Sequence, residues 1–394
     1  MVIIMEILFY RYGSICEPDI IRAFRQMSLT VLEDTTEITQ KYISDADRIL
    51  SVERIINERH PLFVFSINFY PVISDICHIY RTPYLCWTVD CPVPELFSAS
   101  ICHDTNRIFL FDQAQYQTFS PYNPEHIYHL PLASCTERFD RVTSSISGAD
   151  RASFCCDISF VGSLYNEKNP LRALSALSEY SQGYIRALVE ASLKIYGYNP
   201  VEDALTDNVI ADIKKNDSKF FTLKKSVANS DRYVAAHSYI GMEIAQTERI
   251  RTLNQLALHF PVDLFTRSDT SPLKNVRIHG GVHTLTEMPK IFHLSRINLN
   301  MTIKPIQTGL PLRIFDILGC GGFLMTNYQS ELQNYFDIGI DLETYSSMEE
   351  LVDKCAYYLS HEQERAQIAQ NGYQKVCSMH TYPHRIRTMI ASIL

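Results

Sequence analysis

The segment 303–327, IKPIQTGLPLRIFDILGCGGFLMTN, holds the densest set of residues able to handle a phosphorylated ligand. Its pattern predicts a loop, an amphipathic helix over about 312–318, a glycine-rich stop at 319–322 and then a buried strand. A loop running into a helix N-terminus offers backbone N–H groups and the positive end of the helix dipole to phosphate oxygens. Arg313 falls in the first turn, where it adds a fixed cation, and Asp316 follows one turn later on the same face. A carboxylate there can accept hydrogen bonds from the vicinal hydroxyls of a ribose. The plainer alternative is an exposed i,i+3 ion pair worth tenths of a kcal/mol, and the two residues alone do not separate these readings.

Further candidates stand where strands end. Asp90 follows the apolar run 84–89, so it sits at a strand's carboxyl end, where a carboxylate can take the proton of an attacking hydroxyl if the reaction inverts configuration. Capping the turn before Pro92 and Pro94 is its structural alternative. Trp87, the only tryptophan, is a candidate for stacking on a sugar and equally a core residue. Gly13 closes the first strand and lets an acceptor or diphosphate approach the backbone, and Gly162 does the same after the strand 158–162. Lys168, on the loop after Gly162, can neutralise phosphate charge or simply be a solvated lysine.

Metal chemistry has little to build on. The eleven cysteines contain no CxxC, and the pairs His279/His283 and His380/His384 are interrupted by glycine or proline. Asp45-Ala46-Asp47 has the form of a cation-binding Asp-x-Asp, yet it opens a helix, where capping and dipole compensation explain it. The expectation is no metal ligands and no cofactor.

These residues need elements to hold them. Apolar runs at 2–9, 62–67, 84–89 and 107–111 alternate with helical stretches such as 17–27 and 46–59, which implies a parallel sheet covered on both faces. The pattern lapses over 134–157, restarts with ISFVG at 158–162, and continues with strand signals at 262–266, 275–279, 297–301, 322–326 and 336–340. A chain of 394 residues fits two domains. The fold class is therefore α/β, two Rossmann-like domains facing across a cleft. We divide it into an N-terminal acceptor domain at 1–133, a linker at 134–157 and a donor domain at 158–379 with a helical insertion at about 171–258. A C-terminal helix at 380–394 is expected to pack back on the first domain.

Residues 298–385 resemble the C-terminal domain of group-1 glycosyltransferases of the GT-B fold, and most of all the CgeB (spore maturation protein)-like branch. The resemblance rests on residues 299–302, on the Gly-x-Pro-x-Arg-x-Phe-Asp run 309–316, on 319–323, 349–351 and 365–372, and on His380-Thr381-Tyr382 with Arg385. The first half is similar to the domain that accompanies this branch through Trp87-Thr88-Val89-Asp90-Cys91-Pro92, Phe111-Asp112 and residues 130–133. The resemblance implies transfer of a sugar from a nucleoside diphosphate to a glycan, peptide or protein acceptor without a metal. It puts Asp316 at the place of the second glutamate of a Glu-x7-Glu pattern, which holds the donor ribose, and Thr308 where the first would touch the donor sugar. Gly309 joins the donor loop, and Gly280 lies in the loop that frames the base.

Composition narrows the alternatives. A formal net charge of -8 offers no general attraction to polyphosphate, so nucleic acid is not an expected partner. The apolar start is broken by Glu6 and Arg11 and lacks a signal-peptide pattern, no run approaches a membrane span, and a cytoplasmic location is expected. A nicotinamide oxidoreductase would need G-x-G-x-x-G between a strand and a helix, whereas Gly319-Cys320-Gly321-Gly322 follows a helix. A non-catalytic protein of the same fold, binding nucleotide sugars or acting as a scaffold, stands as the second reading because of Thr308.

Overall fold

The computed structural model describes residues 5–40 and 42–393, and the chain divides into two compact units. Unit 1 gathers residues 1–132, 222–230 and 381–394, and unit 2 gathers 133–221 and 231–380. Residues 2–4, the start of the first expected strand, lie outside the described residues.

Unit 1 contains β1 (Glu6–Tyr10), β2 (Thr30–Asp34), β3 (Val64–Ile67), β4 (Tyr84–Trp87), β5 (Asn106–Leu110) and β6 (Ile127–His129). They form one sheet in the order β2-β1-β3-β4-β5-β6, parallel throughout. The inner strands are continuous apolar runs because helices cover both faces, and Leu8, Phe9, Val64, Phe65 and Leu85 are fully buried. The chain leaves β1 towards β2 and then resumes on its other side with β3. Two neighbouring strands whose connections depart in opposite directions leave a crevice at their carboxyl ends, the place where such sheets bind ligands.

The C-terminal helix Tyr382–Ala391 belongs to this unit. Tyr382 meets the Trp87 ring edge-on, and Arg385 Nε donates to the carbonyls of Pro131 and Leu132 at 2.9 and 3.2 Å. Residues 222–230 join the unit as well. Val227 N–H donates to Phe97 O at 2.8 Å, and Ala99 N–H donates to Lys225 O at 3.2 Å.

Unit 2 contains β7 (Ile158–Val161), β8 (Val262–Phe265), β9 (Arg277–His279), β10 (Ile297–Asn300), β11 (Leu324–Asn327) and β12 (Glu343–Tyr345). The sheet order is β12-β11-β10-β7-β8-β9, again all parallel, with the reversal between β7 and β10. Together the units give the α/β architecture of two doubly wound sheets expected from the sequence.

Three expectations need correction. Residues 134–157 are not an irregular linker: they form the helices Thr136–Thr143 and Gly148–Phe154 within unit 2. Lys290 Nζ, on the helix Met288–Leu294, bonds Asp150 at 2.8 Å and with Ser147 holds that carboxyl down at about 2. The stretch 336–340 is loop, with Gly339 at φ 80°, and the strand comes later at β12. Between β7 and β8 the chain forms helices with a core including Ile185, Val189, Val209, Ile213 and Ile240, but residues 222–230 leave this stretch to join unit 1. The last helix of the stretch, Gly241–Leu256, is the crossover helix of the sheet itself and follows directly on a π-helical stretch, Val234–Ile240.

The helix Leu312–Gly319 is held in place by the long helix Glu362–Met379 across a glycine. A Cβ on Gly372 would collide with the Asp341 carbonyl oxygen and stand 2.8 Å from Leu318 Cδ2. Gly372→Ala should therefore destabilise the protein by about 1–3 kcal/mol, the range for an overpacked core position. An unchanged denaturation midpoint would refute this close approach.

Candidate functional site

In unit 2, the crevice between β7 and β10 is occupied by one side chain. Arg249, on the helix Gly241–Leu256, donates from Nη1 to Ser163 O at 2.6 Å and from Nη2 to Met301 O at 2.8 Å, just beyond the carboxyl ends of the two strands. Its guanidinium lies 4.5 Å from the Tyr165 ring centroid and 5.3 Å from that of Phe160. Its Nε is buried and has no hydrogen-bond partner. Burial lowers its pKa, with Tyr165 and Glu248 opposing, and a guanidinium stays charged through such a shift. A second N–H on each terminal nitrogen is left for an anion.

Gly162 fits this arrangement differently from the expectation. Its N–H is engaged by Phe265 O at 3.1 Å and is not offered to a diphosphate. A Cβ there would make ordinary contacts, 3.4 Å from Phe160 Cζ and 3.9 Å from Arg249 Nη1, so the position does not demand glycine. Lys168 is exposed, with Nζ 5.5 Å from the Tyr165 ring.

The helix Leu312–Gly319 begins after Pro311 with no side chain capping its N-terminus. Arg313 is three-quarters buried, and its Nη1 lies 3.9 Å from Asp316 Oδ2, while Asp316 keeps only 9% of its side chain exposed. The exposed ion pair of the plainer reading is thus absent. Arg313 turns towards the helix Met288–Leu294, with Nη1 2.5 Å from Met288 Sδ and its Cζ 5.2 Å from the Phe292 ring. Burial lowers its pKa, Asp316 raises it, and Arg249 lowers it further, so the two guanidinium groups act on each other. Two mutually repelling, largely buried cations, Arg313 with Asp316 beside it and Arg249 with Glu248 acting on it, form a place that an anion would stabilise.

Thr308 and Gly309 lie in the loop before this helix. Thr308 Oγ1 donates to Glu331 Oε1 at 2.7 Å, and Glu331 N–H donates back to Thr308 O at 3.2 Å, so a carboxylate from beyond β11 stands beside the threonine. Gln329 Nε2 bonds the carbonyls of Ile306 and Gly309. Gly280, after β9, is exposed with open space around it, next to a ring pair in which His279 stacks on Phe265 at 4.4 Å.

In unit 1, the crevice between β1 and β3 has the opposite polarity. Glu17, fully buried, accepts the N–H groups of Tyr12, Gly13 and Ser14 on one oxygen at 2.9, 2.8 and 3.0 Å, and Arg11 Nε on the other at 2.9 Å. Gly13, at φ 96°, permits the turn, but its N–H faces this internal carboxylate. Its expected approach to a diphosphate is corrected accordingly. Trp87 is corrected too: it is fully buried, its Nε1 donates to Leu130 O at 3.2 Å, and no face is open for a sugar.

Asp90 is exposed beyond β4. Asn68 Nδ2 donates to its Oδ2 at 2.7 Å, and Tyr12 OH stands 3.4 Å from the same atom. Asn68, at φ 60°, also accepts Val89 N–H at 3.0 Å. The loops after β1, β3 and β4 thus converge on one carboxylate. Among the described residues no group of three or more His, Cys, Asp or Glu gathers as metal ligands, and Asp45 and Asp47 serve as a helix start, with Ser44 and Asp47 forming a capping box.

Arg249, Tyr165, Asn68 and Tyr12 escape the sequence reading. For Arg249 a signal exists: it falls in line with Ala245, Thr252 and Leu256 on the buried side of its helix, a cation at an apolar position.

With this geometry established, comparison with known proteins gives its context. Residues 247–391 match a family of glycosyl transferase-like proteins. No curated protein sequence matches the chain. Solved structures do. A glycosyltransferase from Rickettsia africae is 11% identical with a TM-score of 0.53, covering 99% of this chain and 98% of its own. The Anabaena protein Alr3699/HepE, solved with UDP and glucose, is 12% identical with a TM-score of 0.53, covering 99% and 100%. A sucrose-phosphate synthase from Thermosynechococcus elongatus is 9% identical with a TM-score of 0.53, covering 99% of each chain. At these identities the likeness establishes the fold, which is GT-B. Among the described residues no helix is long and apolar enough to cross a membrane.

Glu17 supports the whole first loop of unit 1. Glu17→Ala leaves three backbone donors and Arg11 without their acceptor and should cost about 2–4 kcal/mol in chemical denaturation, with Glu17→Gln costing less. Equal losses from the two variants would contradict a role as hydrogen-bond acceptor.

Proposed function

We propose that this chain is a hexosyltransferase of the CgeB-like branch, using a nucleoside diphosphate sugar as donor and a hydroxyl on a glycan, peptide or protein as acceptor. The observation that carries the reading is the pair of largely buried guanidinium groups that act on each other, Arg249 at the carboxyl ends of β7 and β10 and Arg313 beside Asp316. Asp316 accepts the ribose hydroxyls, and Arg249 with the helix start at Leu312 faces the diphosphate. In a single displacement the acceptor oxygen bonds to the anomeric carbon as the bond from that carbon to the phosphate oxygen breaks. The proton of the hydroxyl passes to Asp90, and the electron pair stays on the diphosphate, where the arginines stabilise it. The reading requires no metal, because those cations supply the charge. UDP, bound in the Anabaena structure, is the first nucleotide to test. Eleven free cysteines and a nucleotide donor suit the cytoplasm.

A non-catalytic binding protein is the second reading, favoured by the threonine at position 308. Donor turnover in the purified protein separates the two.

Asp316→Ala should weaken nucleoside diphosphate binding by about 1.5–3 kcal/mol, roughly 10- to 150-fold, and should leave a 2′,3′-dideoxy nucleotide unaffected. Calorimetry that finds an unchanged dissociation constant in the folded variant would sink the ribose assignment. Asp90→Asn should reduce kcat by roughly 100-fold or more, in the presence or absence of a chelator, while donor affinity stays near the parent value. Near-normal turnover would remove Asp90 from the mechanism, and loss of parent activity in the chelator would overturn metal independence.

A further inference from the structure

Tyr165 holds a backbone conformation that an aromatic residue adopts only at a cost, φ 67° and ψ 4° in the left-handed region. The loop around it is fastened on both sides. Leu164 N–H donates to Ser268 Oγ at 2.8 Å, and Asn166 Nδ2 donates to Asp269 O at 2.6 Å. Tyr165 contributes its own backbone to this fastening, its N–H to Ser163 Oγ at 2.8 Å and its carbonyl to Lys168 N–H at 3.1 Å. A glycine would make both of those bonds without strain. The side chain must therefore have another use.

Its ring provides one. The centroid lies 4.5 Å from Arg249 Cζ, with Phe160 as a second ring 5.3 Å from the same atom. The carbonyls of Ser163 and Met301 hold the two ends of the guanidinium. Two carbonyls fix two nitrogens but leave the plane free to tilt about the line joining them, and a ring against the plane removes that freedom.

We propose that Tyr165 is a positioning residue, strained so that its ring sets the plane of Arg249 and aims the remaining N–H groups at the diphosphate of the donor. The inference rests on the reading that Arg249 faces that diphosphate. Tyr165 acts only through Arg249, so it affects binding of the diphosphate and leaves the nucleoside alone.

The test compares the parent with Tyr165→Phe, Tyr165→Leu and Tyr165→Gly, measuring UDP and uridine binding by calorimetry and unfolding by thermal denaturation. Tyr165→Phe keeps the ring and should bind UDP within about threefold of the parent. Tyr165→Leu and Tyr165→Gly should each lose roughly tenfold in UDP affinity, the worth of one desolvated cation–ring contact, with uridine binding unchanged. Tyr165→Gly should unfold at the parent temperature or above it, because the strain is gone. Added to Arg249→Gln, it should cause no further loss of affinity, since both changes remove the same interaction. Parent-like UDP binding by Tyr165→Leu and Tyr165→Gly, alongside weakened binding by Arg249→Gln, overturns the role of Tyr165 and leaves the donor site standing. Parent-like binding by Arg249→Gln overturns the donor reading of Arg249, and this inference with it.

Discussion

A guanidinium taken out of water must recover its hydration from fixed partners or be too costly to keep. Arg249 recovers it from two main-chain carbonyls at the ends of β7 and β10 and from two aromatic rings. Those carbonyls lie where the strand order reverses, with the connections of two parallel neighbours departing to opposite sides. The topology and the crossover helix that carries the arginine both meet the needs of this one cation. Arg313 is linked to it as well, since the charge of Arg249 acts on Arg313, which has Asp316 beside it.

Unit 1 answers the same topological problem with the other sign. Its crevice presents backbone N–H groups that in another protein would cradle an anion, and Glu17 occupies them from within. A buried carboxylate that engages these donors leaves none of them for a phosphate, and the exposed carboxylate nearby is Asp90, held by Asn68. Two sheets of similar construction thus carry opposite charge at their switch points, a guanidinium in unit 2 and a carboxylate in unit 1.

The sequence was most legible where physics leaves one choice. Strands buried on both faces are rich in apolar residues, so residues 158–162, 262–266 and 297–301 were plain despite the buried Ser159, Asp263, Asn298 and Asn300. β2 was missed because TVLED lies at a sheet edge, partly exposed and polar at both ends. The run 336–340 looked like a strand, but Gly339 at positive φ breaks it. Arg313 and Asp316 were readable from their spacing on one helix turn and from family resemblance. Arg249 was not, because the insertion separates it from the loop after β7 that it serves, and only the fold brings Ser163, Met301 and Tyr165 around it. Asn68 gave no signal, since its left-handed backbone is invisible until the loop is built.

The way the chain threads its two units has a consequence for biosynthesis. Unit 1 is complete only when residues 222–230 have paired with Phe97 and Ala99 and the helix Tyr382–Ala391 has delivered Arg385 to the carbonyls of Pro131 and Leu132. Ribosomes deliver that helix after the whole of unit 2. The first 132 residues therefore emerge with the edge of Trp87 waiting for Tyr382 and must outlast the synthesis of almost the whole of unit 2 in an unfinished state. An N-terminal domain that gains all its contacts before the next begins is not what this chain order gives. Truncation near the C-terminus is expected to injure the domain made first.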